Sequence, residues 1–357
     1  MTVFTCAGCD AVLSASVSRV ALPAHAHQIW GNGVLLPVLM DPGTYAVDPA
    51  PWGPPWRSWS EVGADTAATR GVFAPVYALS FAAPGAIVVA PGDTRGTVLI
   101  PERCDGYCCG LDGGDGPNLA CERCGRAVAT RIDDCSLWQS VWFAPDAVRA
   151  LPADEPSDEA AGRAGWEVAA MRERQGPPPV DQRGDRSPQW AAAVGAGLAY
   201  LLAASAGAPV SVPDGLVADF FGHALGTLLP AGAPAKSAAL AGPGLAVPDP
   251  APDILLVPRN TVTGEPWQPP GGTLTVPLPA GVWVRLAFPE EGPRVPATGG
   301  LPDGVLRDDP LPPRPGSRFR PDPEVFLHTL ARLPAVRQPW LRAIYDQVQA
   351  RPYSYPF

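Results

Sequence analysis

The sequence predicts an α+β protein. A β-rich N-terminal module covers residues 1–150, a helix and Pro-rich linker covers 151–188, and a mixed α/β region covers 189–357. Three observations carry this reading. Short β-like runs broken by Gly, Pro and Asp turns fill the first 150 residues. Helix-spaced apolar residues and proline helix starts dominate after residue 187. Pro (47) and Gly (38) make up roughly a quarter of the 357 residues, which predicts short elements joined by stiff, Pro-rich connections. With 46% hydrophobic residues the chain has enough apolar mass for a packed core.

The elements follow in order. Val3-Phe4-Thr5 enters a tight turn at Cys6-Ala7-Gly8-Cys9, and Ala11 to Val20 continues as a strand whose broken alternation predicts a bulge. His25 and His27 sit at strand spacing as a possible ligand pair, or as polar loop residues after Pro23. Gly33 to Met40 is a strand candidate. Pro49 to Trp59 is neither central strand nor helix, because its prolines remove donors and fix φ. Its three tryptophans line a groove or clamp the loop to the body. Val72 to Tyr77, Ala86 to Ala90, Thr97 to Ile100, Ser140 to Phe143 and Ala147 to Leu151 complete the β-like runs.

A helix is expected over Ser157–Arg174, with Ser157 as cap and Gly176 as stop, followed by the linker Gly176–Pro188. Ser187-Pro188 starts a helix to about Ser205, ending at Gly207, and Asp214 starts another to Leu229. Ile254–Val257 reads as a buried strand. Thr273–Leu278 and Val282–Phe288 read as a hairpin turning at Pro279-Ala280-Gly281. Pro289–Pro321 is expected to wrap the surface. Helices then begin at Asp322-Pro323 and Pro339, the latter with an apolar stripe of Trp340, Leu341, Ile344, Tyr345 and Val348.

The formal net charge is -9 and charged residues are only 17%, so no clustered basic face for nucleic acid or an anionic membrane is expected. The first ten residues lack a charged n-region and an apolar h-region, and Trp190–Ala206 is too weakly apolar to span a bilayer. A cytoplasmic, reducing location is the expectation, and there eight cysteines point to metal ligation rather than disulfides.

Six of the eight cysteines lie between Arg103 and Trp138, and Cys6/Cys9 form a matching CxxC. Cys121-Glu122-Arg123-Cys124-Gly125 has the form of a zinc knuckle: a tight turn aims two thiolates at one ion and the glycine relieves the turn. Three arrangements are open. Cys6, Cys9, Cys121 and Cys124 share one zinc; or Cys104, Cys108 or Cys109, Cys121 and Cys124 form a local site while Cys6 and Cys9 recruit Cys135 or a histidine; or all eight thiolates make two sites. Each gives a zinc-stabilised module. The residues Phe4-Thr5-Cys6-Ala7-Gly8-Cys9 with Leu13, and Leu119-Ala120-Cys121-Glu122-Arg123-Cys124-Gly125, resemble the split-knuckle zinc folds, namely the zinc ribbon and the β-tent group of Yippee-like and Mss4-like proteins. The resemblance covers about the first 135 residues and implies a structural zinc site.

Other chemistry is sparse. Cys135 follows Asp133-Asp134, whose charge disfavours a thiolate, so Cys108 or Cys109 on its Gly-rich loop is the better reactive candidate. Asp105, Asp112 and Asp115 lack calcium-loop spacing and read as a solvated turn. Gly195-Ala196-Gly197 lies in a helix without a preceding strand and is no dinucleotide loop. His223 and His328 read as packing residues. The sequence therefore points to a zinc-bearing binding or interaction protein with an unidentified protein or small-molecule partner. The alternative is an enzyme using zinc-bound water or a cysteine, with its site between the halves.

Overall fold

The computed structural model describes the whole chain except residues 31–35, 105, 107–109, 153–161, 175, 181–185, 233–235, 247, 270, 290–303, 305–318 and 351–355. The chain divides into two compact units, Met1–Gly165 with Val262–Gly264, and Trp166–Thr261 with Glu265–Phe357. The fold class is α+β, with the strand-rich part at the N-terminus.

The first unit is built on β1 (Thr2–Cys6), β2 (Ser18–Arg19), β3 (Thr44–Asp48), β4 (Trp56–Ser58), the short helices α1 (Trp59–Val62) and α2 (Ala64–Thr69), β5 (Ala78–Ser80), β6 (Ala86–Val89), β7 (Thr97–Leu99), β8 (Leu119–Cys121), β9 (Ala127–Ile132), β10 (Ser140–Phe143) and β11 (Val148–Pro152). Seven strands form one sheet in the order β2-β3-β6-β10-β9-β8-β7, while β1 pairs with β11 and β4 with β5. Register explains the core. Val141 lies opposite Val89, Trp142 opposite Val88 and Phe143 opposite Ile87, while Tyr45 and Ala46 meet Val89 and Val88 from the other side. Because side chains alternate across a sheet, Tyr45, Val89, Val141 and Phe143 face one cluster with Phe4, Cys6, Leu13, Cys121 and Val148. Ala46, Val88 and Trp142 face the other, with Leu36, Leu39, Met40 and Trp138. Both faces are thus buried, and each large side chain so covered contributes about 1.5–3 kcal/mol.

Several expected strands differ. Ala11–Val20 is held mainly by single bridges, Val12 to Thr5 and Val17 to Thr2, before β2, since its apolar residues do not alternate. Of Gly33–Met40, residues 33–35 lie outside the described part, and the rest makes one bridge, Val38 to Gln139, with Pro37 interrupting the donors. Val72–Tyr77 is irregular, because Pro75 interrupts it, and the strand begins at Ala78. Within Pro49–Trp59 only Trp56–Ser58 pairs, on a two-stranded ribbon. Trp52 stacks on Trp142 at 4.8 Å between ring centroids, so this tryptophan clamps the loop to the sheet.

The second unit contains α3 (Val168–Glu173), α4 (Pro188–Ser205), β12 (Val210–Ser211), α5 (His223–Leu228), β13 (Lys236–Leu240), β14 (Ile254–Pro258), β15 (Leu274–Leu278), α6 (Ala280–Ala287), α7 (Pro323–Ala331) and α8 (Pro339–Gln349). Its sheet is parallel throughout, in the order β12-β13-β14-β15. Parallel neighbours need crossovers, and a helical stretch that passes through a π-type turn at Ala218–Gly222 supplies the one from β12 to β13. All five residues of β14 are buried, as a central parallel strand requires.

Helix α4 starts where Ser187 Oγ accepts the Trp190 amide at 3.4 Å and Pro188 takes the first turn, and it ends on Ala206 in the left-handed region. It is buried almost all round, so its small residues serve close packing. A Cβ on Gly195 would lie 2.4 Å from the Asp322 carbonyl oxygen, and the Asp322 amide donates to Ala191 O at 2.8 Å. Asp322 caps α7 by accepting from the Val325 amide at 2.8 Å. No helix among the described residues is long and apolar enough to cross a membrane.

Two sequence expectations are corrected here. Val282–Phe288 is not the second strand of a hairpin but helix α6, entered through Pro279. Residues Ala280–Leu286 are all buried, Arg285 included, so burial does not follow the two-residue alternation of a half-buried strand; the Trp283 indole donates to Leu256 O at 3.1 Å. The helix expected over Ser157–Arg174 is interrupted at 165–167, and its C-terminal piece starts at Val168 with Glu167 as cap. Residues 153–161, including Ser157, lie outside the described part, as do 181–185 of the linker and most of Pro289–Pro321.

Candidate metal centre

The two CxxC turns are built alike. In the first, the Asp10 amide donates to Cys6 O at 2.9 Å and the Cys6 amide donates to Ala11 O at 2.8 Å. In the second, the Gly125 amide donates to Cys121 O and the Cys121 amide to Arg126 O, both at 2.8 Å. Each turn ends on a left-handed residue, Asp10 at φ 58° and Gly125 at φ 73°. A left-handed residue at this point reverses the chain, so that both cysteines of a knuckle face one side. Strand pairing then fixes where each knuckle sits. Cys6 ends β1 opposite Val148, and Cys121 ends β8 opposite Thr97. The Ala7 amide donates to Ala147 O at 2.9 Å, and the Glu122 amide to Gly96 O at 2.9 Å.

These constraints bring four sulfurs together across 112 to 118 residues of sequence separation. Cys6 Sγ lies 3.6 Å from Cys124 Sγ, Cys9 Sγ lies 3.6 Å from Cys121 Sγ, and all four lie within 4.8 Å of one another. A tetrahedron of sulfurs about 2.3 Å from a central zinc has edges of about 3.8 Å, so the spacing suits such an ion. Cys6 and Cys121 are fully buried, Cys9 is half-buried and Cys124 is exposed. Arg123 ties one knuckle to the other by donating to Cys9 O at 3.2 Å, and Arg126 donates to Asp146 O at 3.0 Å.

The metal-free thiols are electrostatically uneven. Burial opposes ionisation of Cys6, but the Gly8 amide at 3.4 Å and the Cys124 thiol outweigh it, and the pKa falls to about 7. At Cys9 the Ala11 amide favours the thiolate, yet burial and the thiols of Cys124, Cys121 and Cys6 raise the pKa to about 12. Crowded sulfurs cannot all carry charge unless a cation sits among them. The donor set therefore fits a soft divalent ion such as zinc.

No family model, no curated protein and no solved structure matches this chain. The likeness to zinc ribbons and β-tents rests on the paired knuckles alone.

Of the other described cysteines, neither Cys104 nor Cys135 belongs to this group. Cys104 is half-buried and its thiol donates to Ile100 O at 3.1 Å. Cys135 is half-buried. Cys108 and Cys109 lie outside the described residues. Among the described residues the fold thus gathers Cys121 and Cys124 with Cys6 and Cys9, because strand register places the first knuckle there. Cys104 does not join them.

His25 and His27 lie in a turn after Pro23, as the loop reading expects, and both rings are packed there. His27 Nε2 meets Asp48 Oδ2 at 2.7 Å, and its ring stacks on Trp142 and Trp52. His25 packs on Trp138 with 4.3 Å between centroids, and burial pushes its pKa down to about 3. Asp112 accepts the Gly114 amide at 2.7 Å, a local turn as expected. His223 is exposed at the start of α5, not packed.

Sequence reasoning did not single out Asp10, Arg123 or Asp48. Only Asp10 left a trace, standing one residue after CxxC where the second knuckle has Gly125.

Proposed function

We propose that this chain is a cytoplasmic zinc-binding protein in which one structural zinc, held by Cys6, Cys9, Cys121 and Cys124, stabilises a unit that binds a protein or small-molecule partner. The observation that carries the reading is the convergence of four thiols from two like-built knuckles. Four protein ligands close a tetrahedron and leave no position for a reacting water, which favours a structural over a catalytic ion. Net charge of -9 argues against nucleic acid or an anionic membrane as the partner.

Native mass spectrometry with elemental analysis, on full-length protein purified without added metal, tests this. One zinc per chain is expected. Cys6→Ser and Cys124→Ser should lose the ion and destabilise the N-terminal unit, since structural zinc binding is worth about 10–16 kcal/mol in peptide systems. Absence of metal, or full thermal stability in both variants, would remove the basis of the proposal.

A further inference from the structure

The four cysteines are not equally protected, and this inequality points beyond a passive staple. Cys6 and Cys121 are fully buried while Cys124 is exposed at the tip of its knuckle, so a small oxidant meets Cys124 first. A metal-bound cysteine is a thiolate, the nucleophilic form of the residue. The close sulfur partner of Cys124 belongs to the other knuckle: Cys6 Sγ is 3.6 Å away, and Cys9 and Cys121 repeat this cross-pairing at 3.6 Å. A disulfide needs about 2.05 Å between sulfurs, so each pair closes by a movement of about 1.5 Å.

We propose that the centre is a peroxide-sensitive site in which Cys124 is oxidised and captured by Cys6, replacing the metal with a disulfide between the knuckles. The inference rests on the zinc reading above. The Cys124 thiolate attacks one oxygen of hydrogen peroxide, the O–O bond breaks, hydroxide leaves and Cys124 becomes a sulfenic acid. The Cys6 thiolate then attacks the Cys124 sulfur and expels a second hydroxide. Two thiolates are oxidised by two electrons and one peroxide is reduced to two hydroxides, which water protonates. With two of its four ligands gone, the ion is released. Cys9 and Cys121 can repeat the reaction with a second peroxide. Because both bonds join the knuckles, oxidation keeps β1 and β8 tethered after the ion has left.

The test uses the full chain, with zinc content measured first. Hydrogen peroxide is added in the presence of a chromogenic zinc chelator, and the product is mapped by non-reducing peptide mass spectrometry. One zinc released per chain with a Cys6–Cys124 cross-link is expected, and reductant plus zinc should restore the starting state. Cys124→His keeps a Cys₃His ligand set, so it should still hold zinc and release it at least tenfold more slowly. Cys135→Ser should release it at the parent rate. Retained zinc, a Cys121–Cys124 link, or a Cys124→His variant that releases at the parent rate would overturn the proposal. A chain without zinc before peroxide refutes the metal reading instead, and the cross-link then stands or falls on the peptide map.

Discussion

Replacing Gly125 by Ala tests whether the two knuckles are the equivalent devices their hydrogen bonds suggest. Gly125 has φ 73°, and a Cβ added there would meet nothing within 4 Å, so the penalty is purely conformational. An L-residue in the left-handed region costs roughly 1–2 kcal/mol, and the lost chain entropy of glycine returns part of that. The net destabilisation expected is about 1 kcal/mol, roughly fivefold in the unfolding equilibrium. Asp10 occupies the same place at φ 58° in the other knuckle. Asp10→Gly relieves the backbone but frees the chain and removes an exposed ion pair to Arg149 (2.8 Å), so these changes should cancel to within about 0.5 kcal/mol. Urea titration of zinc-loaded protein, read by metal release to a chelator, reports on this unit. A neutral Gly125→Ala, or an Asp10→Gly that costs more than Gly125→Ala, would refute the equivalence.

Acid should weaken the first unit through His25, whose buried Nε2 has no hydrogen-bond partner among the described residues and whose folded pKa is about 3 against 6.5. The unfolded chain binds the proton more readily, so this contribution is complete above pH 6.5 and falls by about 1.4 kcal/mol per unit towards pH 3. The difference in urea unfolding free energy between zinc-loaded parent and His25→Phe protein, followed against pH so that the pH dependence of metal binding cancels, should show that slope. Gly195→Ala should drive a methyl into the Asp322 carbonyl, 2.4 Å away, and destabilise the second unit by about 1–3 kcal/mol; an unchanged thermal midpoint would mean that α4 and the start of α7 are not held this closely.

The sequence by itself determined the two CxxC turns and the starts of α4, α7 and α8. The fold class, both knuckles, α4 with its Ser187 cap and Gly207 stop, and the proline-led helices α7 and α8 were legible because a cap, a proline or a CxxC acts within a few residues of chain. Sequence spacing left three cysteine arrangements open. Only the pairing of β1 with β11 and of β8 with β7 and β9 carried Cys6 and Cys9 to Cys121 and Cys124, more than a hundred residues away. Tertiary structure also decided Val282–Phe288, where a short run that alternates as a strand would is buried as a helix, Arg285 included. It decided His25 and His27 as well, since Trp138 and the Asp48, Trp52 and Trp142 group that enclose them come from distant strands and loops. Local signals specify local backbone. Which side chains share a site is fixed by strand register, and register is settled by what the whole sheet must bury.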